Sequence, residues 1–247
     1  LVFRLTKIIF PQLHLAPYLA VILLASSNDF SFLSSQGIAE TVLLFFELTS
    51  IYLLLKKKPL LSAASFALAF LTKSFATFWL FPLTALILLQ QRYRLSKIIR
   101  YYGLLLLIIL PWHIFMLAKF GPDFWQAYVI NNTIGRGTGT QSNIAPIYWY
   151  LRYFLWQWWP YLIFIPQLVF QIKKTRPLLL IWSLLIFIPF SLIKSKVWWY
   201  VFPFWIPILI LIASFLEPLV KKTRLALLLT AIPVLLMNYH TVNQALS

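Results

Sequence analysis

The chain has no cysteine, which excludes disulfides, thiolate nucleophiles and cysteine metal ligands. Acid is nearly as scarce. Five Asp and Glu residues stand against 21 Lys and Arg, for a formal charge of +16. With three histidines and no HExxH or other paired spacing, no ligand cluster for a metal is visible, and no chemistry here calls for a redox cofactor. No glycine-rich phosphate loop follows a strand pattern, and Ser, His and Asp do not group into an evident triad. Internal repeats and low-complexity tracts are missing. So is a charged leader segment with a small-residue cleavage site after Leu1. Glycine is limited to six residues, four of them (Gly121, Gly135, Gly137 and Gly139) within one short stretch.

What is present is apolar. The chain of 247 residues is 62% hydrophobic and 11% charged, with a mean hydropathy of +0.85. A soluble domain of this size could not hide so much apolar surface. The fold class expected is all-α: a polytopic transmembrane helical bundle, with residues 1–247 forming a single membrane domain. Apolar runs predict about nine spans, near 8–26, 37–55, 59–72, 75–90, 101–118, 147–171, 177–193, 197–216 and 225–240. The run 59–72 is short: at 1.5 Å per residue it reaches about 21 Å, against roughly 30 Å of hydrocarbon.

The positive charge sorts by side. Fifteen basic residues fall in alternate polar segments: Arg4 and Lys7; Lys56 to Lys58; Arg92, Arg94, Lys97 and Arg100; Lys173, Lys174 and Arg176; Lys221, Lys222 and Arg224. Basic residues between apolar spans set topology and mark the cytoplasmic side; they do not by themselves indicate nucleic acid, and no stripe fit for a duplex stands out. Gln91 to Arg100 reads as a short amphipathic helix on that surface. Asp29, Glu40 and Asp123 fall near the outer side, Glu47 mid-span, and Glu217 at a cytoplasmic span end.

Six cations remain on the outer side, and topology does not explain them. Lys119 and Arg152 flank spans and snorkel to headgroups. Lys73 ends the short run, so it faces either a wet cavity or a salt bridge to Glu40 or Glu47. Lys194 and Lys196 share a tight turn beside Trp198, Trp199 and Tyr200, where they either anchor to headgroups or hold a lipid phosphate. Arg136 lies between Gly135 and Gly137, either a solvated loop charge or a fork for an anion. It belongs to Gly121–Tyr153, the longest stretch that is no simple apolar span; residues 119–146 of this region are expected to form an outer flap loop. His14 and His113 each stand alone and read as hydrogen-bonded helix residues; Asn131-Asn132-Thr133 fits a glycosylation acceptor pattern.

Four blocks in order resemble the polytopic GT-C glycosyltransferases of the protein O-mannosyltransferase and lipid A aminoarabinose transferase type (glycosyltransferase families 39 and 83). The first is Ser34 to Glu40 leading into an apolar helix. The second, Ala67 to Ser74, is similar to Gly-Leu-Ala-x-Leu-Thr-Lys-Gly, with Ser74 in place of the last glycine. The third comprises Phe124, Tyr128, Arg136, Pro146, Tyr148, Tyr150 and Trp159-Pro160; the family's histidine before that proline is missing, and Asn143 stands nearby. The fourth, Ser191 to Pro207, aligns Lys196, Tyr200, Pro203 and Pro207.

The resemblance implies an inverting transfer of a sugar from a polyprenyl-phosphate donor to a protein, lipid or glycan acceptor. This would occur at the outer, periplasmic face of the plasma (inner) membrane. It implies donor-phosphate contacts from Arg136, Lys196 and Tyr200, with Lys73 and Lys194 beside them, and sugar or acceptor contacts from Tyr128, Tyr148 and Tyr150. Glu40 is then a secondary carboxylate. The principal catalytic base, an aspartate of the family's first outer loop, is expected upstream of Leu1. A transporter or flippase of a lipid-linked sugar is the alternative reading, although such proteins are built on repeats and broken helices. A non-catalytic membrane subunit is a third.

Overall fold

The computed structural model describes residues 1–140, 143–164, 166 and 177–222. The helices in chain order are α1 (Val2–Ile9), α2 (Ala16–Ala25), α3 (Asn28–Ser35), α4 (Ala39–Leu55), α5 (Pro59–Lys73) and α6 (Leu80–Gln90). They continue with α7 (Leu95–Trp125), α8 (Gly135–Thr138), α9 (Trp149–Gln157), α10 (Trp159–Leu162), α11 (Pro177–Leu192) and α12 (Phe202–Lys222). Tighter 3₁₀ turns follow α5 (Ser74–Thr77) and precede α12 (Trp198–Val201), and a wider π-helical segment (Gln126–Ile134) joins α7 to α8. The described residues contain no strand, only one isolated bridge between Ile144 and Ser195.

Three helical runs are long and apolar enough to cross a membrane: Pro59–Thr77, Leu95–Thr138 and Trp198–Lys222. A fourth is possible if α2 and α3, which meet at a bend of 66°, count as one broken span. The nine-span expectation therefore matches fewer long helices among the described residues. Part of the run 147–171 lies outside them, as does all of 225–240; α9 and α10 interrupt the described part of the former. The run expected to fall short does end as an α-helix at Lys73, after 15 residues; the 3₁₀ turn beyond Lys73 brings the whole helical run to 19 residues. Residues 91–100 also form no separate surface helix: Gln91 to Arg94 turn, and the remainder is the first turns of α7. Along α7, Leu106, Leu107, Leu110, Ile114 and Phe115 are exposed, an arrangement suited to lipid and costly in water.

The residues group into two compact units. The first is formed, among the described residues, by 1–38, 150–164, 166, 177–184 and 201–222. In it α2 packs on α1 and on α12. The carboxylate of Glu217, near the end of α12, accepts the backbone N–H groups of His14, Leu15 and Ala16 at 3.0, 3.0 and 2.8 Å. It thereby caps the start of α2, where backbone donors have no helical partner. Asp29 is buried and accepts from Tyr153 Oη at 2.7 Å and Trp158 Nε1 at 2.6 Å. Trp158 in turn stacks on Trp205, with centroids 3.9 Å apart.

The second unit comprises residues 39–149 and 185–200. Here α4 and α5 pack closely. Their contact is possible because α5 presents small residues, Ser62, Ala63, Ser65, Ala67 and Ala69, on its buried face. Ser62 Oγ donates to Ser50 O at 2.8 Å, and Ser65 Oγ to Phe46 O at 3.0 Å. Glu47 is fully buried on α4 and accepts from Trp79 Nε1 at 3.1 Å.

Candidate functional site

The site lies within the second unit and grows from the ends of its helices. Glu40 occupies the first turn of α4 and Lys73 the last turn of α5. Each charge opposes its own helix dipole favourably, and the two side chains form an ion pair. Of the two readings of Lys73, the salt bridge to Glu40 is present. Lys73 nevertheless also lines a cavity, so the readings are compatible.

Beyond Ile134 the π segment runs into α8, which carries Arg136. The region expected to be a flap loop is thus helical through Thr138. Its glycines do break the run, but at defined points. Gly121 has φ +51° and allows a sharp kink, after which Pro122 starts the next helical turns. Gly139, at φ +85°, ends α8; a Cβ there would stand 3.0 Å from Lys194 Cδ. The turn after α11 lies against this segment. Ser195 N–H donates to Arg136 O at 3.0 Å, Lys196 N–H to Asn143 O at 2.9 Å, and Ala145 N–H to Lys194 O at 3.1 Å.

These bonds bring Tyr200 to Arg136, whose Nη1 donates to the phenol oxygen. Lys73 Nζ lies 5.1 Å and Arg136 Cζ 5.8 Å from the Tyr200 ring centroid. Tyr200 thus has two cations beside it, of which Glu40 neutralises one. Lys73, Arg136 and Tyr200 line both a cavity of about 260 Å³, with Asn143 and Ser195, and a larger one of about 420 Å³. The larger cavity joins that cationic end to apolar rings, Phe75, Phe78, Trp79 and Phe190, and to a polar wall of Ser74, Tyr128, Asn132 and Thr133. An anion with an apolar tail and a polar head would find complementary surface there.

Not every expected residue arrives. Lys196 is buried, and its ammonium donates to the carbonyls of Ser191 and Ile193 at 2.7 and 2.5 Å, and more weakly to that of Phe190 at 3.4 Å. It closes the end of α11, and burial lowers its pKa from the ordinary lysine value. Lys194 is exposed and covers Gly139. Tyr148 is exposed, Tyr150 is fully buried in the first unit, and neither lines either cavity. Tyr128 does line the larger one. His113, expected as a hydrogen-bonded helix residue, is one, with Nδ1 2.9 Å from Ile109 O, and its Nε2 also lies 2.9 Å from Tyr128 Oη at the cavity, a contact the sequence did not indicate. Its only signal was an aromatic setting, with Trp112 beside it and Phe124 and Tyr128 further along. No group of three or more metal-ligating side chains occurs among the described residues.

The geometry defines a class: a polytopic helical membrane bundle with a cationic cavity at helix ends. Comparison with known proteins bears out the GT-C resemblance. No family model matches the chain. It is 29% identical over 161 residues to undecaprenyl phosphate-alpha-4-amino-4-deoxy-L-arabinose arabinosyl transferase 1 of Proteus mirabilis, covering 62% of this chain and 29% of that protein. A protein of Aquifex aeolicus is 32% identical over 174 residues, covering 68% of this chain and 40% of its own length. Among solved structures, ArnT from Cupriavidus metallidurans bound to undecaprenyl phosphate superposes with a TM-score of 0.71 at 19% identity. That match covers 87% of this chain and 43% of ArnT. The fold is therefore that of the GT-C membrane bundle, and the chain spans less than half the length of these relatives.

Proposed function

We propose that the chain is part of a membrane glycosyltransferase whose donor is a sugar linked to a polyprenyl phosphate. The observation that carries this reading is the pair of cations, Lys73 and Arg136, both within 6 Å of the Tyr200 ring at a cavity whose other wall is aromatic. Lys73 and Arg136 would hold the phosphate, with Tyr200 Oη as a further polar contact. The aromatic wall would take the first part of the lipid. The arabinosyl transferase relatives and the ArnT fold support a transferase over a flippase.

In such a transfer the lipid phosphate is the leaving group. Cations fixed beside it stabilise the charge that develops on its bridging oxygen. A carboxylate must take the acceptor's proton. We assign Glu40 to holding Lys73 rather than to that step, because its charge is already paired. Lys194 and Lys196 are not assigned to the phosphate. The site opens on the side opposite the main cationic clusters, the outer face of the bacterial inner membrane. The acceptor would be a lipid, glycan or protein.

The test is binding in nanodiscs. Undecaprenyl phosphate should bind at least tenfold tighter than uncharged undecaprenol, and Arg136→Ala should remove that preference. Equal binding of both lipids to the unmodified protein would sink the phosphate assignment.

A further inference from the structure

Ser74 is in an unusual place. Its backbone has φ +33° and ψ −110°, outside the regions that L-residues populate readily, at a cost of order 1–3 kcal/mol. Glycine would adopt it with little strain. A residue held in strain at a cavity wall calls for a role, and the hydroxyl of Ser74 has one: it is hydrogen-bonded to Tyr128 Oη.

The direction of the bonds follows from chemistry. His113 Nδ1 lies 2.9 Å from Ile109 O. A carbonyl only accepts, so Nδ1 carries the proton, and in the neutral imidazole Nε2 is an acceptor. Tyr128 therefore gives its proton to Nε2, 2.9 Å away. Its oxygen then accepts from the Ser74 hydroxyl, and the Ser74 oxygen keeps its lone pairs for the cavity. The same polarity repeats alongside. Thr133 Oγ1 donates to Tyr128 O at 3.2 Å, and Asn132 Nδ2 donates to Ala127 O at 3.0 Å. Ser74, Tyr128, Asn132 and Thr133 all line the larger cavity. Ser74, Asn132 and Thr133 each have a proton committed to the protein and a side-chain oxygen left to accept, and Tyr128 holds the Ser74 hydroxyl in that orientation.

We propose that this wall is a subsite for the donor's sugar, which it recognises through hydrogen-bond donors, hydroxyl or amine, on the sugar ring. His113 is its positioning residue: it touches no ligand but fixes which way the Tyr128 proton points. The inference rests on the phosphate reading above, because that reading places the sugar next to Lys73 and Arg136.

The experiment compares two probes, undecaprenyl phosphate and undecaprenyl-phosphoryl pentose, on the full-length protein in nanodiscs. Ser74→Gly removes the hydroxyl and relieves the backbone, so a folding failure is not expected. It should weaken the sugar-bearing lipid about tenfold, the value of one hydrogen bond near 1.4 kcal/mol, and change the bare lipid less than twofold. Tyr128→Phe should repeat the pattern. His113→Gln, which retains an acceptor for Tyr128, should stay near the unmodified protein, while His113→Phe should behave like Tyr128→Phe. A Ser74→Gly effect equal on both lipids, or on neither, overturns the subsite. Arg136→Ala separates the two ideas. If it leaves both lipids unchanged, the phosphate reading falls, whatever Ser74→Gly does.

Discussion

Glu217 offers a sharp test of how the first unit is held. Its side chain is 1% exposed, yet it receives three backbone N–H groups and the ammonium of Lys221 at 2.5 Å. Replacement by alanine strands these donors unequally. Ala16 is fully buried, so its N–H loses its partner without water to replace it, about 1–3 kcal/mol. His14 and Leu15 are exposed and can be rehydrated. Loss of a capping acceptor adds about 1 kcal/mol, and loss of a negative charge at a helix N-terminus about 0.3–1 kcal/mol. Glu217→Ala should therefore cost about 2–5 kcal/mol. Lys221→Ala removes only a half-exposed i,i+4 pair and should cost about 0.5 kcal/mol. Glu217→Gln, which keeps an acceptor but aims an amide N–H at other donors, should fall between. Equilibrium unfolding in mixed micelles measures all three, followed by near-UV circular dichroism of the stacked Trp158–Trp205 pair in the same unit. If Glu217→Ala costs no more than Lys221→Ala, the carboxylate is not the cap described.

Asp29→Asn should destabilise the same unit by about 2–4 kcal/mol, read by the same unfolding signal, because an amide cannot accept from both Tyr153 and Trp158 at once. A double-mutant cycle on Glu40→Gln and Lys73→Met should give a coupling of about 1–2 kcal/mol, since both side chains are partly shielded; additive effects would contradict the ion pair. In lipid binding, Lys73→Met should weaken undecaprenyl phosphate more than Glu40→Gln does. Gly139→Ala should cost at least about 1 kcal/mol in thermal unfolding, from its positive φ and the 3.0 Å approach to Lys194.

The sequence pointed to Lys73, Arg136, Tyr200 and Tyr128, and these line one cavity. They were legible because charge beside an apolar span is expensive and stands out, and because they recur in motifs similar to a known family. Lys196 matched a motif equally well, but spacing does not say which way a lysine points; three carbonyls at the end of α11 take it inward. Residues 121–138 misled for a related reason. Their glycines suggested a loop, whereas helical hydrogen bonds carry the chain through them and only Gly121 and Gly139 use the positive φ that glycine permits. His113 and Ser74 gave almost no local signal, since a relay exists only once three separate helical segments meet.

Composition and hydropathy by themselves determined that this is a helical membrane protein, because that much apolar surface has no other place to go. The alternation of cationic clusters indicated which polar segments share a side, and Glu40, Lys73, Arg136 and Tyr200, all expected on one side, do come together. Tertiary structure alone decided which of these charges face the cavity, which are paired or turned inward, and which way each hydroxyl proton points. Those outcomes depend on distances and directions between residues far apart in the chain, and no one-dimensional pattern contains them.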